Sequence, residues 1–218
     1  MTDASKAWAT EQIRLGKSVL DQASGVRPAD IERAITALNN ARSVFTYEHS
    51  PAQWAEIAMD LGRIYSRRKN EDRTENKKTA ITYYSEALTV YEWKSHPIDC
   101  AVCHSEIGNL SLDLADGIDR REKKLALLHY EIVLVLISRE SWPELWHKTH
   151  LELSLLYRKY AMFSESADLS LSEEHSRMAF DPDENVELAF YDLMRTTYDL
   201  CIRLFELQLE LRHAKGHS

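Results

Sequence analysis

A chain of 218 residues in which 35 acidic side chains outweigh 27 basic ones carries a formal net charge of −8. That balance argues against general nucleic-acid binding, which needs a basic surface. Apolar residues at 44% and charged residues at 28% are ordinary for a soluble protein. No stretch approaches the run of about 18 apolar residues that spans a bilayer, and the N-terminus lacks the apolar region of a secretory signal; with three cysteines, an odd number, reduced thiols and a cytoplasmic location are expected.

The first expected helix covers residues 5–20, with Trp8, Ile13, Leu15, Val19 and Leu20 on its apolar side, and Gly25 breaks it. Pro28 and Asp30 open the second, where Ile35, Leu38, Ala41, Val44 and Phe45 recur at helical spacing. Further pairs are expected at 51–68 with 76–93, 97–115 with 120–138, and 143–161 with 168–180, Gly117 serving as a C-cap in the third. A last amphipathic helix, 184–212, shows Leu188, Tyr191, Met194, Cys201, Ile202 and Phe205 on one face. All five prolines, at 28, 51, 97, 143 and 182, stand where a helix should begin, a position that tolerates the missing N–H. Ser50 is the expected N-cap of the helix after it.

These pairs repeat at a step of 46 residues. The step links Pro51, Pro97 and Pro143, and it links Trp8, Trp54 and Trp146 with Cys100 standing in once. It also links Leu15, Leu61, Ile107 and Leu153, then Gly16, Gly62 and Gly108 with Ser154 as the fourth. In the second helices it joins Ala34, Ala80 and Ala126, then Leu38, Tyr84 and Tyr130. In the fourth copy Ser172 and Ser176 replace the alanine and the aromatic. Self-similarity at one period marks a stacked helical array. The expectation is one all-α domain over 1–218, with four hairpins (5–46, 51–93, 97–138, 143–180) and a C-terminal capping helix that covers the open end.

Within a copy, Ala58, Leu61-Gly62 and Tyr65, followed by Ala80, Tyr84 and Ala87, resemble the tetratricopeptide repeat. The third copy reads His104, Ile107-Gly108, Ser111, Ala126, Tyr130 and Val133. Small residues at the crossing let two helices approach and the aromatic fills the adjoining gap. The family repeat is about 34 residues, so each copy here is longer, in both of its helices, and resembles the long repeats of bacterial multidomain proteins. The resemblance implies a right-handed α-α superhelix acting as a scaffold or adaptor, whose first helices line a concave groove for a protein or peptide.

By the family spacing, one groove row holds Lys17, Arg63, Asn109 and Leu155; a second holds Leu20, Ser66, Leu112 and Arg158, with Arg67 and Lys159 beside it; a third holds Ile13, Met59, Ser105 and Leu151. The partner-binding set is Lys17, Met59, Arg63, Arg67, Asn109, Leu112, Leu155 and Arg158. Its mixture of apolar and cationic side chains suits an extended peptide or helix of acidic character. Only Asn109 fits a clamp for a C-terminal carboxylate, so that ligand is not favoured.

Cys100-Ala-Val-Cys103-His104 fits the c-type haem attachment pattern, and Cys103, His104, His147 and His150 are a candidate zinc set. Both are set against the register, which puts Cys100 at the place of Trp54 and His104 at that of Ala58, inside a repeat helix. No phosphate loop, nucleophile elbow or metalloprotease motif is visible. No enzyme, cofactor, metal site, nucleic-acid or membrane partner is therefore expected. The alternatives to an adaptor are a self-assembling subunit of a bacterial complex, a homodimer joined through Phe180, Phe205, Leu207, Leu209 and Leu211, or a metal or haem protein.

Overall fold

The computed structural model describes residues 2–22, 26–69, 72–114, 120–161 and 166–180. The expected terminal helix 184–212, Pro182, Gly25, Gly117 and the apolar end around Phe205 lie outside the described residues. Those residues form eight α-helices and no strand. They are α1 Asp3–Leu20, α2 Pro28–Arg42, α3 Pro51–Arg67, α4 Arg73–Ala87, α5 Pro97–Leu114, α6 Arg120–Leu136, α7 Pro143–Ala161 and α8 Ser166–Phe180. Among the described residues, no helix is long and apolar enough to cross a membrane.

Proline opens α2, α3, α5 and α7, where its missing N–H costs nothing. Side chains open two others: Thr2 accepts from the Ser5 amide and Asp72 from the Glu75 amide, at 3.2 and 2.9 Å. The Asp72 cap is why α4 starts ahead of residue 76, the start expected from periodicity. Ser50 corrects an expectation. It stands at the N-cap of α3, but its side chain makes no capping bond; its carbonyl instead takes the Trp54 amide at 2.9 Å.

Helix ends obey the same step. The Ser43 hydroxyl donates to the Asn40 carbonyl, and the Thr89 hydroxyl to the Glu86 carbonyl, each at 2.7 Å. Capturing a carbonyl from the last turn competes with helix continuation, so α4 stops at Ala87 and not at 93 as expected. The register puts Val135 at this position in the third copy, and α6 runs on to Leu136. Just beyond each end a buried apolar residue hooks back: the amides of Phe45, Tyr91 and Ile137 donate to the carbonyls of Ala41, Ala87 and Val133.

The chain divides into two compact units, residues 1–129 and 130–218. In the first, α1 packs on α2, α3 on α4, α2 and α1 both on α3, and α4 on α5. Its core joins Ala9 and Val19 of α1 with Ile31, Ile35 and Leu38 of α2 and Ile57, Leu61 and Ile64 of α3. Glycine permits the two crossings. A Cβ on Gly16 would fall 2.5 Å from Leu38 Cγ, and one on Gly62 would fall 3.0 Å from three carbons of the Tyr84 ring. In the second unit α7 packs on α8 over buried Trp146, Leu153, Leu156 and Tyr157.

Candidate partner-binding face and paired histidines

In the first unit the structure brings together four of the residues expected in a groove. Lys17 of α1 reaches across to α3, where its Nζ bonds Glu56 and lies 3.7 Å from Asp60. Arg63 Nη1 is 3.4 Å from the other Asp60 oxygen. Arg67 donates to the Leu20 carbonyl of α1 at 3.0 Å. Met59 is buried beneath them. Residues one repeat apart thus form one surface across α1 and α3, held by an ionic bridge.

Asp60, which the sequence reading passed over, is the centre of that bridge. It is 1% exposed in mid-helix, a place where a carboxylate persists only with partners. Burial pushes its carboxyl above the ordinary value, and the Lys17 and Arg63 charges hold it back. Burial works to lower the Lys17 ammonium, but Glu56 and Asp60 outweigh it and its pKa lies above normal. A signal was available: Asp60 is the one charged residue among the buried ones of α3.

The other expected positions are placed separately. Asn109 and Leu112 are half-buried on α5, and Leu155 and Arg158 are exposed on α7. Arg158 also edges a cleft of about 540 Å³ with Ser172, Glu173, Ser176 and Arg177 of α8.

The Cys-x-x-Cys-His stretch lies in α5 and faces inward. Cys100 donates its thiol to the Tyr91 carbonyl at 2.9 Å and Cys103 is fully buried. Burial raises the two thiols to about 11 and 12, so both stay protonated and unavailable to an approaching electrophile. Among the described residues, no group of three His, Cys, Asp or Glu is placed to hold a metal ion.

His104 and His150 are each joined to a residue the sequence reading did not single out. His104 Nδ1 meets His129 Nδ1 at 2.8 Å, and His150 Nδ1 meets His175 Nδ1 at 2.9 Å. Two imidazoles can share such a bond only if one supplies Nδ1–H and the other a bare Nδ1, so each pair is neutral. Burial lowers His104 and His150 to about 3, with the partner imidazole adding to it, and lowers His129 and His175 to about 4. The second pair is the drier, with its rings 0% and 2% exposed. The Tyr157 ring stacks on His175 and the Trp146 ring lies 4.1 Å from His150. The clue was in the register: 129 and 175 differ by the same 46 residues as 104 and 150.

The drift in the fourth copy also has a structural explanation. Ser154 stands where Gly62 does and Ser176 where Tyr84 does, and their hydroxyls are 2.6 Å apart. Ser172, in the place of Ala80, donates to the Ser154 carbonyl at 3.0 Å. Compared with known protein families and with curated proteins, the chain matches none.

Proposed function

We propose that the chain is a helical-repeat scaffold of the tetratricopeptide kind that holds a protein or peptide against the surface made by its first helices. The observation that carries this reading is the direct contact of α1 with α3, bridged by Lys17 to Glu56 and by Arg67 to the Leu20 carbonyl. Contact between successive first helices is what turns equivalent positions into a continuous row for an extended ligand. The Gly62–Tyr84 crossing supports the repeat assignment, because the family pattern requires a small residue against an aromatic there. Lys17 and Arg63 are tied to Asp60, but each side chain keeps more than a third of its surface in water. An acidic partner can therefore exchange with those internal carboxylates. Exposed Leu155 with Arg158 offers the same mixture of apolar and cationic character in the second unit.

A photo-crosslinking side chain at Ser66, at Leu155 or at Thr82 tests this in source cells. Ser66 and Leu155 belong to the expected rows, whereas Thr82 is exposed on α4, a second helix. Adducts to one protein from the first two positions and none from Thr82 are expected. Equal labelling at all three, or none at any, sinks the reading.

A further inference from the structure

The outward side of α1 breaks the burial pattern of its own repeat. Leu61, Ile107 and Leu153 are all buried, yet Leu15 at the same position is 45% exposed. Cys100 and Trp146 are buried, yet Trp8 at their position is 48% exposed. The inward side of α1, with Ala9, Gly16 and Val19, is fully used against α2 and α3. The outward side therefore has the composition of a helix-packing face with no helix on it among the described residues. A groove of about 640 Å³ runs along it between α1 and α2, edged by Gln12, Leu15, Ser18, Ala34, Ala37 and Asn40.

We propose that this face pairs with the same face of a second copy, α1 lying antiparallel on α1 about a two-fold axis. The arrangement of residues is self-complementary in the way such an axis demands. Trp8 and Leu15 are seven residues apart on one stripe and equidistant from the point between Glu11 and Gln12. About an axis through that point, each Trp8 lies level with the Leu15 of the other copy. The charges obey the same symmetry. Glu11 and Arg14 share one exposed flank, where they pair within the helix at 2.5 Å. At about 1.5 Å of rise per residue, the second copy's Arg14 comes within about 3 Å of Glu11 along the axis. Every copy thus offers the other an apolar pair and an opposite charge. A partner of another kind would have no reason to share this symmetry.

Sedimentation of the full chain over a concentration series reads the outcome. The wild-type protein is expected to dimerise, and Trp8→Glu with Leu15→Glu is expected to weaken the dimer by about thirtyfold or more, the loss that follows removal of a buried aromatic anchor. Both side chains are half in water in the single copy, so the melting curve of the variant monomer should match that of the wild type. Glu11→Arg alone and Arg14→Glu alone should each weaken the dimer several-fold, since each sets like charges across the axis. The two together should restore it, because the reversed pair is again self-complementary. A wild-type monomer at every concentration overturns the proposal, and so does a dimer indifferent to these changes. A monomer whose stability falls in Trp8→Glu/Leu15→Glu also overturns it, by showing that the face is covered from within the chain.

Discussion

The second and fourth hairpins close the same crossing by opposite means. In α3–α4 the joint is a matter of shape: Gly62 removes its side chain, Tyr84 occupies the space, and Ala58 faces the turn above. In α7–α8 the equivalent residues are Ser154, Ser176 and His150, and the joint is made by hydroxyl and imidazole hydrogen bonds. The volume that one joint assigns wholly to a tyrosine is divided in the other between two serines. A repeat can therefore keep its backbone register while exchanging apolar packing for polar pairing, provided both partners change together. The exchange alters how the joint responds to its surroundings, because shape is indifferent to pH and a neutral histidine pair is not.

Acid should separate the two joints most strongly. His150 and His175 are held neutral well below their ordinary range, so between about pH 6.5 and the folded values near 3 and 4 the unfolded chain binds protons that the folded chain refuses. Their contribution to stability is complete above about pH 6.5 and declines as pH falls. At pH 5 each histidine costs about 2 kcal/mol, or about 4 kcal/mol for the pair, a large share of a typical domain's stability. The His104–His129 pair is only half-buried and adds less. Melting temperatures should drop between pH 7.5 and pH 5, and the drop should shrink in His150→Asn with His175→Asn. A flat profile for the wild type would remove the contrast.

Transplanting one joint into the other position is the next largest perturbation. Ser176→Tyr alone should overpack against Ser154 and cost about 1–3 kcal/mol. Adding Ser154→Gly should recover part of that loss, with a coupling of about 1 kcal/mol in a double-mutant cycle. Strict additivity would mean that the two positions do not share a volume.

The smallest effect distinguishes the two glycine crossings. Alanine in a helix regains about 1 kcal/mol over glycine, so the outcome depends on what the new methyl meets. Gly16→Ala forces the branch point of Leu38 to move and should lower stability by about 1 kcal/mol net. Gly62→Ala asks the Tyr84 ring to give by a few tenths of an ångström and should come out near neutral. Calorimetric melts showing the reverse order would contradict the crossing geometry.

Helix positions and pairing were legible in the sequence because they rest on local signals: apolar period, proline at N1 and small residues at crossings. Helix ends were less so. The stops at Arg42 and Ala87 depend on a single hydroxyl in the last turn, Ser43 or Thr89, and hydrophobic periodicity continued past both. The partner-binding rows were legible only as a spacing. That Lys17 and Arg63 converge on Asp60 depends on how α1 lies across α3, a distance of more than forty residues along the chain. The histidine pairs were hidden for a different reason. Attention went to histidines close together in sequence, whereas the bonded partners are 25 residues apart, on opposite arms of one hairpin.

Burial of the Cys100 and Cys103 thiols makes α5 a clock for its own opening. Neither sulfur can be alkylated while the helix is seated, so the rate of labelling at these two positions, in a protein whose Cys201 is replaced by serine, counts the excursions in which the third hairpin comes apart. Set beside amide exchange in α3, that rate would tell whether adjoining repeats unzip one by one or let go together.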